Sequence, residues 1–220
     1  MVNDAAGVPR TIRLDMHTHC EYSPDSETPV AEQARAIKAL GLDVVCATDH
    51  NTIEGALRLR ELADGFRVII GEEVSSREGE LIGLFLEHAV PRDLSAEETI
   101  AAIHAQGGLV SVPHPFSHNR PAHLRRETLD RLWPQIDALE ILNARELDAA
   151  DNRKAAEFAR ERNIPGAVGS DAHRVADLGR AWLACPDFSG PEDFLDAIRA
   201  GTVHRPPSGW RSWLGRPATR

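Results

Sequence analysis

Short apolar, β-like runs alternate with helix-like segments through most of this chain. That alternation predicts parallel βα units arranged around one sheet. Strands are expected over residues 11–16, 42–47, 67–70, 81–86, 109–112, 138–142 and 165–168, with one more over 181–184. Helix signals fall between them. Thr28-Pro29 opens one helix, with Thr28 as N-cap and Pro29 at the first helical position, and Gly41 stops it. Another is expected from about 52 to 63. Ser95 and Glu98 form a capping box that starts a third, ended by Gly107-Gly108. Further helices are expected over about 122–132, 145–162 and 191–200. About seven such units in 220 residues predict a single-domain α/β barrel, closed or nearly so. An open doubly wound sheet is the alternative. Residues 1–10 read as an N-terminal extension, 11–201 as the barrel and 202–220 as a tail. The tail holds Pro206, Pro207, Trp210, Trp213 and Pro217 with Arg205, Arg211, Arg216 and Arg220. It is expected to start ordered, fray at its end, and plug the barrel base.

Side chains that ligate metals follow strand after strand. The first strand runs into Asp15-Met16-His17-Thr18-His19 and the second into Asp49-His50. The third gives Glu72-Glu73, the fifth His114-Pro115 and the seventh Asp171-Ala172-His173. Barrels carry their sites at the C-terminal ends of strands, so five strand ends converge on one mouth. In His17-x-His19 the strand period of two puts both imidazoles on one face, and Asp171-x-His173 repeats the device. Imidazole nitrogen with carboxylate oxygen suits zinc, manganese and iron. Each motif alone has a plain reading. The His-x-His pair alone is a strand decoration, Asp49-His50 a helix cap, Glu72-Glu73 a solvated pair and His114-Pro115 a turn. Their shared register outweighs those readings.

Composition narrows the partners. The chain is 42% hydrophobic and 27% charged, with a formal net charge of −9. That argues against extended nucleic acid and against a membrane surface, both of which call for a basic face. A small anion is compatible, because bound cations reverse the local sign of a pocket. Cys20, Cys46 and Cys185 are widely spaced and odd in number, so no disulfide framework is expected. The first ten residues show no signal peptide, and no stretch is long and apolar enough to span a bilayer. A cytoplasmic protein is expected.

These stretches together resemble the PHP (polymerase and histidinol phosphatase) domain family. The resemblance rests on Asp15-Met16-His17-Thr18-His19, Ser23-Pro24-Asp25, Ala47-Thr48-Asp49-His50 and Gly71-Glu72-Glu73-Val74. It continues through Val112-Pro113-His114-Pro115, Glu140-Ile141-Leu142-Asn143 and Gly169-Ser170-Asp171-Ala172-His173, in family order. It implies a distorted, TIM-like (β/α)7 barrel with two or three divalent metal ions. It implies that His17, His19, Glu73 and Asp171 hold the first metal. Glu73 then bridges to a second metal at His114, and Asp25, His50 and His173 form a third site. Asp49 would orient a ligand histidine from behind. One position departs from the pattern. Many members carry histidine three residues before the fourth-strand glycine; here Gly83 is preceded by Glu80, an oxygen ligand in its place.

The expected activity is hydrolysis of a small phosphorylated metabolite or nucleotide by a metal-activated hydroxide. Glu73, Asp171, His173 and Arg145 are the expected catalytic residues. Arg120, Arg145 and Arg180 are candidate phosphate clamps. His118 is a candidate general acid, although a solvated loop histidine is the simpler reading. His88, His104, His123 and His204 read as structural or exposed. The rival functions are a non-catalytic metal-binding module and a metal-dependent amidohydrolase on a similar barrel.

Overall fold

The structure is a computed structural model, and it describes residues 10–205. The expected N-terminal extension, all but its last residue, and the Pro/Trp/Arg segment of the tail lie outside the described residues.

Among the described residues, nine strands form one sheet in the order β7-β6-β5-β4-β3-β2-β1-β8-β9. They are β1 (Thr11–Thr18), β2 (Val44–Ala47), β3 (Arg67–Ser76), β4 (Gly79–Leu84), β5 (Leu109–Val112), β6 (Ala138–Asn143), β7 (Gly166–Gly169), β8 (Trp182–Pro186) and β9 (Thr202–His204). The helices are α1 (Val30–Leu40), α2 (Glu54–Leu62), α3 (Ala96–His104), α4 (Arg126–Leu132), α5 (Ala149–Arg162) and α6 (Pro191–Arg199). The sheet curls until the chain leaving β7 reaches β1. Asp171 N–H donates to His17 O (2.8 Å), and His19 N–H donates to Ala172 O (2.9 Å). The result is a nearly closed, distorted barrel.

The strands are not all parallel, which corrects the sequence expectation. β1–β2, β2–β3, β5–β6 and β6–β7 are parallel, but β3–β4, β4–β5 and β1–β8 are antiparallel. The reason lies between β3 and β4. No helical segment separates them, and a connection that short can only turn back as a hairpin. β9 pairs antiparallel with β8, carrying the sheet past Gly201 into the segment read as tail.

Local signals hold where packing leaves them alone. α1 ends at Gly41 with φ +66°, and Ser95 and Glu98 form their capping box. Three helix starts shift where tertiary contacts win. Pro29, not Thr28, is the N-cap of α1. Thr28 Oγ1 instead donates to His173 O (2.9 Å), and Glu21 Oε1 takes the first-turn N–H of Val30 (3.0 Å). α4 starts at Arg126 because the preceding loop docks on the β3–β4 hairpin. Glu80 N–H donates to Ala122 O (2.8 Å), and Arg125 N–H donates to Glu78 O (2.9 Å). α5 starts at Ala149, capped by Asp148, which leaves Arg145 on a loop.

Two apolar clusters hold the sheet. One lies between strands and helices and includes Ile37, Leu59, Ile100, Ile103, Leu129 and Phe158. The other gathers Leu14, Met16, Val44, Cys46, Ile69 and Ile82, and α6 packs Phe194, Ala197 and Ile198 against it. Each large side chain buried this way contributes about 1.5–3 kcal/mol. The expected plugging of the barrel base by the tail falls on residues outside the described ones. No helix among the described residues is long and apolar enough to cross a membrane.

Candidate metal centre

The centre is built from strand ends. His17 and His19 close β1, Asp49 and His50 follow β2, Glu73 lies in β3, His114 follows β5, and Asp171 and His173 follow β7. All but His50 are buried. Two of the acceptor positions sit in left-handed backbone, His114 at φ +29° and Asp171 at φ +50°. Conformations of that kind cost about 1–3 kcal/mol and persist where the surroundings over-determine them.

Hydrogen bonding decides which ring nitrogens face inward. His17 Nδ1 lies 3.1 Å from Glu140 Oε1. A carboxylate only accepts, so Nδ1 carries the proton in the neutral ring. His19 Nδ1 lies 3.0 Å from Ser23 Oγ. The Ser23 hydroxyl gives its own proton to Asp49 (2.9 Å) and accepts from His50 N–H (3.0 Å). It therefore accepts from His19 Nδ1–H as well. Both rings present bare Nε2 atoms, and these stand 3.0 Å apart. Two lone pairs that close need a cation or a proton between them.

The remaining donors complete the set. Glu73 Oε2 lies 3.1 and 3.2 Å from the Nε2 atoms of His17 and His19. Asp171 Oδ1 lies 3.7 and 3.5 Å from the same atoms. Glu73 Oε1 turns the other way, 3.1 Å from His114 Nε2. Glu80 lies beyond it, with Oε2 3.8 Å from His114 Nε2 and Oε1 3.7 Å from His50 Nδ1. A third group joins His19, His50 and His173. Asp25 Oδ2 is 2.8 Å from His173 Nε2 and 3.6 Å from His50 Nε2. Three overlapping groups, His17-His19-Glu73, His50-Glu73-Glu80 and His19-His50-His173, offer the imidazole and carboxylate donors that divalent cations take.

The electrostatics agree. Burial opposes charge on His17, but Asp171, Glu73 and Glu140 outweigh it and hold the ring well above its ordinary value. His19 is likewise pushed up to about 9 against burial, by Asp171 and Glu73. Glu73 and Asp171 fall well below the carboxylate range despite burial, because His17 faces both. Glu80 is pushed up to about 7 by burial and by the Glu73 charge beside it. The acidic field that keeps protons on these rings is the field that would retain a cation.

Several supports have no role in the sequence analysis. Glu140 holds His17 through Oε1, and its Oε2 accepts from His114 N–H (2.7 Å) and Asn143 Nδ2 (3.0 Å). Asn143 also donates to Asp171 (3.0 Å). Ser23 relays Asp49 to His19, so Asp49 acts through a hydroxyl and not on a ring directly. Asp15, buried and pushed up to about 6, accepts from Ser170 N–H (2.8 Å) and Gly179 N–H (3.1 Å). Glu72 points away from the centre and accepts from Val90 N–H (2.7 Å). The quoted Glu140-Ile141-Leu142-Asn143 stretch held the signal, since two polar residues in a buried strand need partners.

The arginines divide. Arg120 forms an ion pair with Asp171 Oδ2, and Arg145 NH1 lies 2.6 Å from His173 Nδ1 and 3.5 Å from Asp171 Oδ1. Arg180 lines an open cleft together with Arg120 and Arg145 but pairs with Asp177 (2.8 Å). His118 Nδ1 is pinned by buried Asp151 (2.6 Å). His104 pairs with Asp137, His123 with Arg120 O, and His204 stacks on Trp182 at 4.1 Å. His88 is exposed.

Comparison with known proteins follows the same line. The PHP domain signature matches residues 15–143, more than half of the chain. The chain belongs to the PHP domain family. A PHP-associated signature continues over residues 149–203. Two uncharacterized proteins of Methanocaldococcus jannaschii are similar to this PHP protein. One is 37% identical over 157 residues, covering 66% of this chain and 89% of that one. The other is 30% identical over 202 residues, covering 87% of this chain and 81% of that one. The fold is shared with a two-domain Bacteroides vulgatus protein containing a predicted PHP-like metal-dependent phosphoesterase. The TM-score is 0.69 at 18% identity, over 90% of this chain. This chain spans 65% of that protein.

Proposed function

We propose that this PHP protein is a metal-dependent phosphoesterase that hydrolyses a small phosphorylated metabolite or nucleotide. One observation carries the reading: guanidinium groups reach the candidate metal centre from the wall of an open cleft. The cleft has a volume of about 810 Å³, and Asp25, Arg120, Arg145, His173, Arg174 and Arg180 line it. It is of the size that holds one small ligand. The guanidinium fork matches phosphate oxygens two at a time.

His17, His19, Glu73 and Asp171 would hold one cation, and Glu73, Glu80 and His114 a second. Asp25, His50 and His173 would hold a third. Divalent cations act there as Lewis acids that lower the pKa of water and offset phosphate charge. Manganese, zinc and iron all suit the donors. The chain's own residues do the rest. Arg145 and Arg120 orient the anion against the centre and spread charge on its oxygens. Glu140, Asn143 and Ser23 keep ligand atoms aimed inward, so geometry is set before substrate arrives. A net charge of −9 favours a small anion over extended nucleic acid. The free, buried cysteines go with a reducing, cytoplasmic setting. The full donor set speaks against a non-catalytic module, and a guanidinium-lined cleft speaks against a neutral amide substrate.

The test is phosphate release from an aryl phosphate, nucleotides and sugar phosphates, run beside an amide panel with added manganese. Metal-dependent phosphate release is expected, and R145A should lower kcat/KM by about 10²–10³-fold. Metal-loaded protein that cleaves amides alone, or nothing, overturns the reading.

A further inference from the structure

Glu80 stands where the sequence pattern leads one to expect an imidazole, and the structure places it inside the centre. The hairpin register explains how. Glu73 pairs with Ile82, and Ser75 pairs with Glu80. Strand periodicity therefore puts Glu80 on the sheet face that carries Glu73, one step nearer the hairpin tip. Its backbone is clamped there by the bond from Glu80 N–H to Ala122 O. The residue is buried, and its side chain makes no hydrogen bond among the described residues. Its two oxygens instead flank His114 and His50 at 3.8 and 3.7 Å. Both contacts are too long for hydrogen bonds, and a cation held among these donors would satisfy the buried carboxylate.

The two sides of Glu73 thus differ in chemistry. On one side, Glu73 Oε2 and Asp171 Oδ1 both face the Nε2 atoms of His17 and His19, two nitrogens and two oxygens. On the other, Glu73 Oε1 meets His114, and the Glu80 carboxylate lies 3.8 Å from His114 Nε2 and 3.7 Å from His50 Nδ1, so two carboxylates outnumber the one imidazole of the His50-Glu73-Glu80 group. Glu80 also borders a second cleft of about 200 Å³ with Ser75, Arg77, His123 and Arg125. Water entering beside Glu80 would complete an oxygen-rich shell, as magnesium and manganese prefer.

We propose that Glu80 makes the His114 side of Glu73 a hard-cation site, selective for manganese or magnesium, beside a His17–His19 site that takes zinc or iron. The inference rests on the metal-centre reading above but not on the identity of the substrate. Carboxylate and water oxygens suit manganese, and imidazole suits zinc and iron, so an extra oxygen in place of a ring shifts preference toward the harder ion.

The test uses the full chain stripped by chelator and titrated with Mn²⁺ alone, Zn²⁺ alone and both together. Binding is read by calorimetry, manganese EPR and metal analysis after dialysis. E80Q should weaken one manganese equivalent by about 10–100-fold while sparing the zinc equivalent. E80H should raise the zinc-to-manganese ratio of that equivalent, and E80D should keep the wild-type ratio. H17A should strip the zinc equivalent and leave manganese in place. Unchanged manganese affinity in E80Q, or equal ratios in E80H and wild type, overturns the inference while the metal centre stands. A folded wild-type chain that binds neither ion overturns both. Circular dichroism of each variant checks the fold, and E80D with E80H decides the case if E80Q fails to fold.

Discussion

His17 Nδ1 lies 3.1 Å from Glu140 Oε1, and that contact determines which nitrogen of the ring faces the centre. Glu140 also accepts the His114 N–H at 2.7 Å, so one carboxylate braces two acceptor positions on separate strands. E140A should keep the fold and lower metal affinity by about 10–100-fold, the usual effect of removing a residue behind a ligand. Metal titration of the variant beside its circular dichroism spectrum checks this. Wild-type affinity would show that the ring orients itself.

Gly169 ends β7 directly beneath His17. A Cβ there would stand 2.4 Å from His17 Cβ and 2.8 Å from Glu140 Oε1. Both neighbours are buried and hydrogen-bonded to each other. G169A should cost about 1–3 kcal/mol of stability and displace the His17 ring. Thermal melting and metal stoichiometry should both fall. A variant with unchanged Tm and full metal content would mean the strand end yields.

Glu72 is buried and lifted from 4.5 to about 7 by desolvation, opposed by the Val90 N–H it accepts. The folded state therefore holds this proton more tightly than the unfolded chain. Its contribution favours folding below about pH 4.5 and is lost as pH rises toward about 7. E72Q cannot ionise and escapes that loss. The Tm of E72Q minus that of wild type should rise between about pH 5 and about pH 8. A difference that stays flat or falls would assign Glu72 a charged role in the fold.

Cys20, Cys46 and Cys185 are all buried. Desolvation pushes each thiol up, helped by Asp49 beside Cys20, Asp15 near Cys46 and Asp187 near Cys185, which reaches about 11. Thiolate is the reactive form, so the native protein should resist a disulfide reagent at neutral pH. All three thiols should react once the chain is denatured. Rapid labelling of the native protein would contradict this packing.

Much of this architecture is legible in the chain because it depends on short-range periodicity. The alternation of apolar runs and helical segments already implies one sheet with helices packed on it, and the choice of barrel over open sheet came with the family resemblance. A period of two already puts His17 and His19 on one side. Gly41 and the Ser95–Glu98 box act within a few residues, so their helix ends follow from local chemistry alone. The same period says that Glu72 and Glu73 part, but not which of them faces the metals.

The tertiary structure decided what depends on distant partners. The direction of β4 followed from a connection too short to cross over. Thr28 gave up its cap for the carbonyl of His173, and the loop before α4 gave up a helical turn for the β3–β4 hairpin. Glu140, Ser23 and Asn143 became supports because a buried polar group must find a partner wherever folding puts one. Arg120 and Arg145 reach Asp171 because the loops after β5 and β6 meet the loop after β7. Residue types and their spacing carry the chemistry of this protein. Its geometry comes from contacts between segments that have no local reason to meet, and these are settled only when the whole sheet closes.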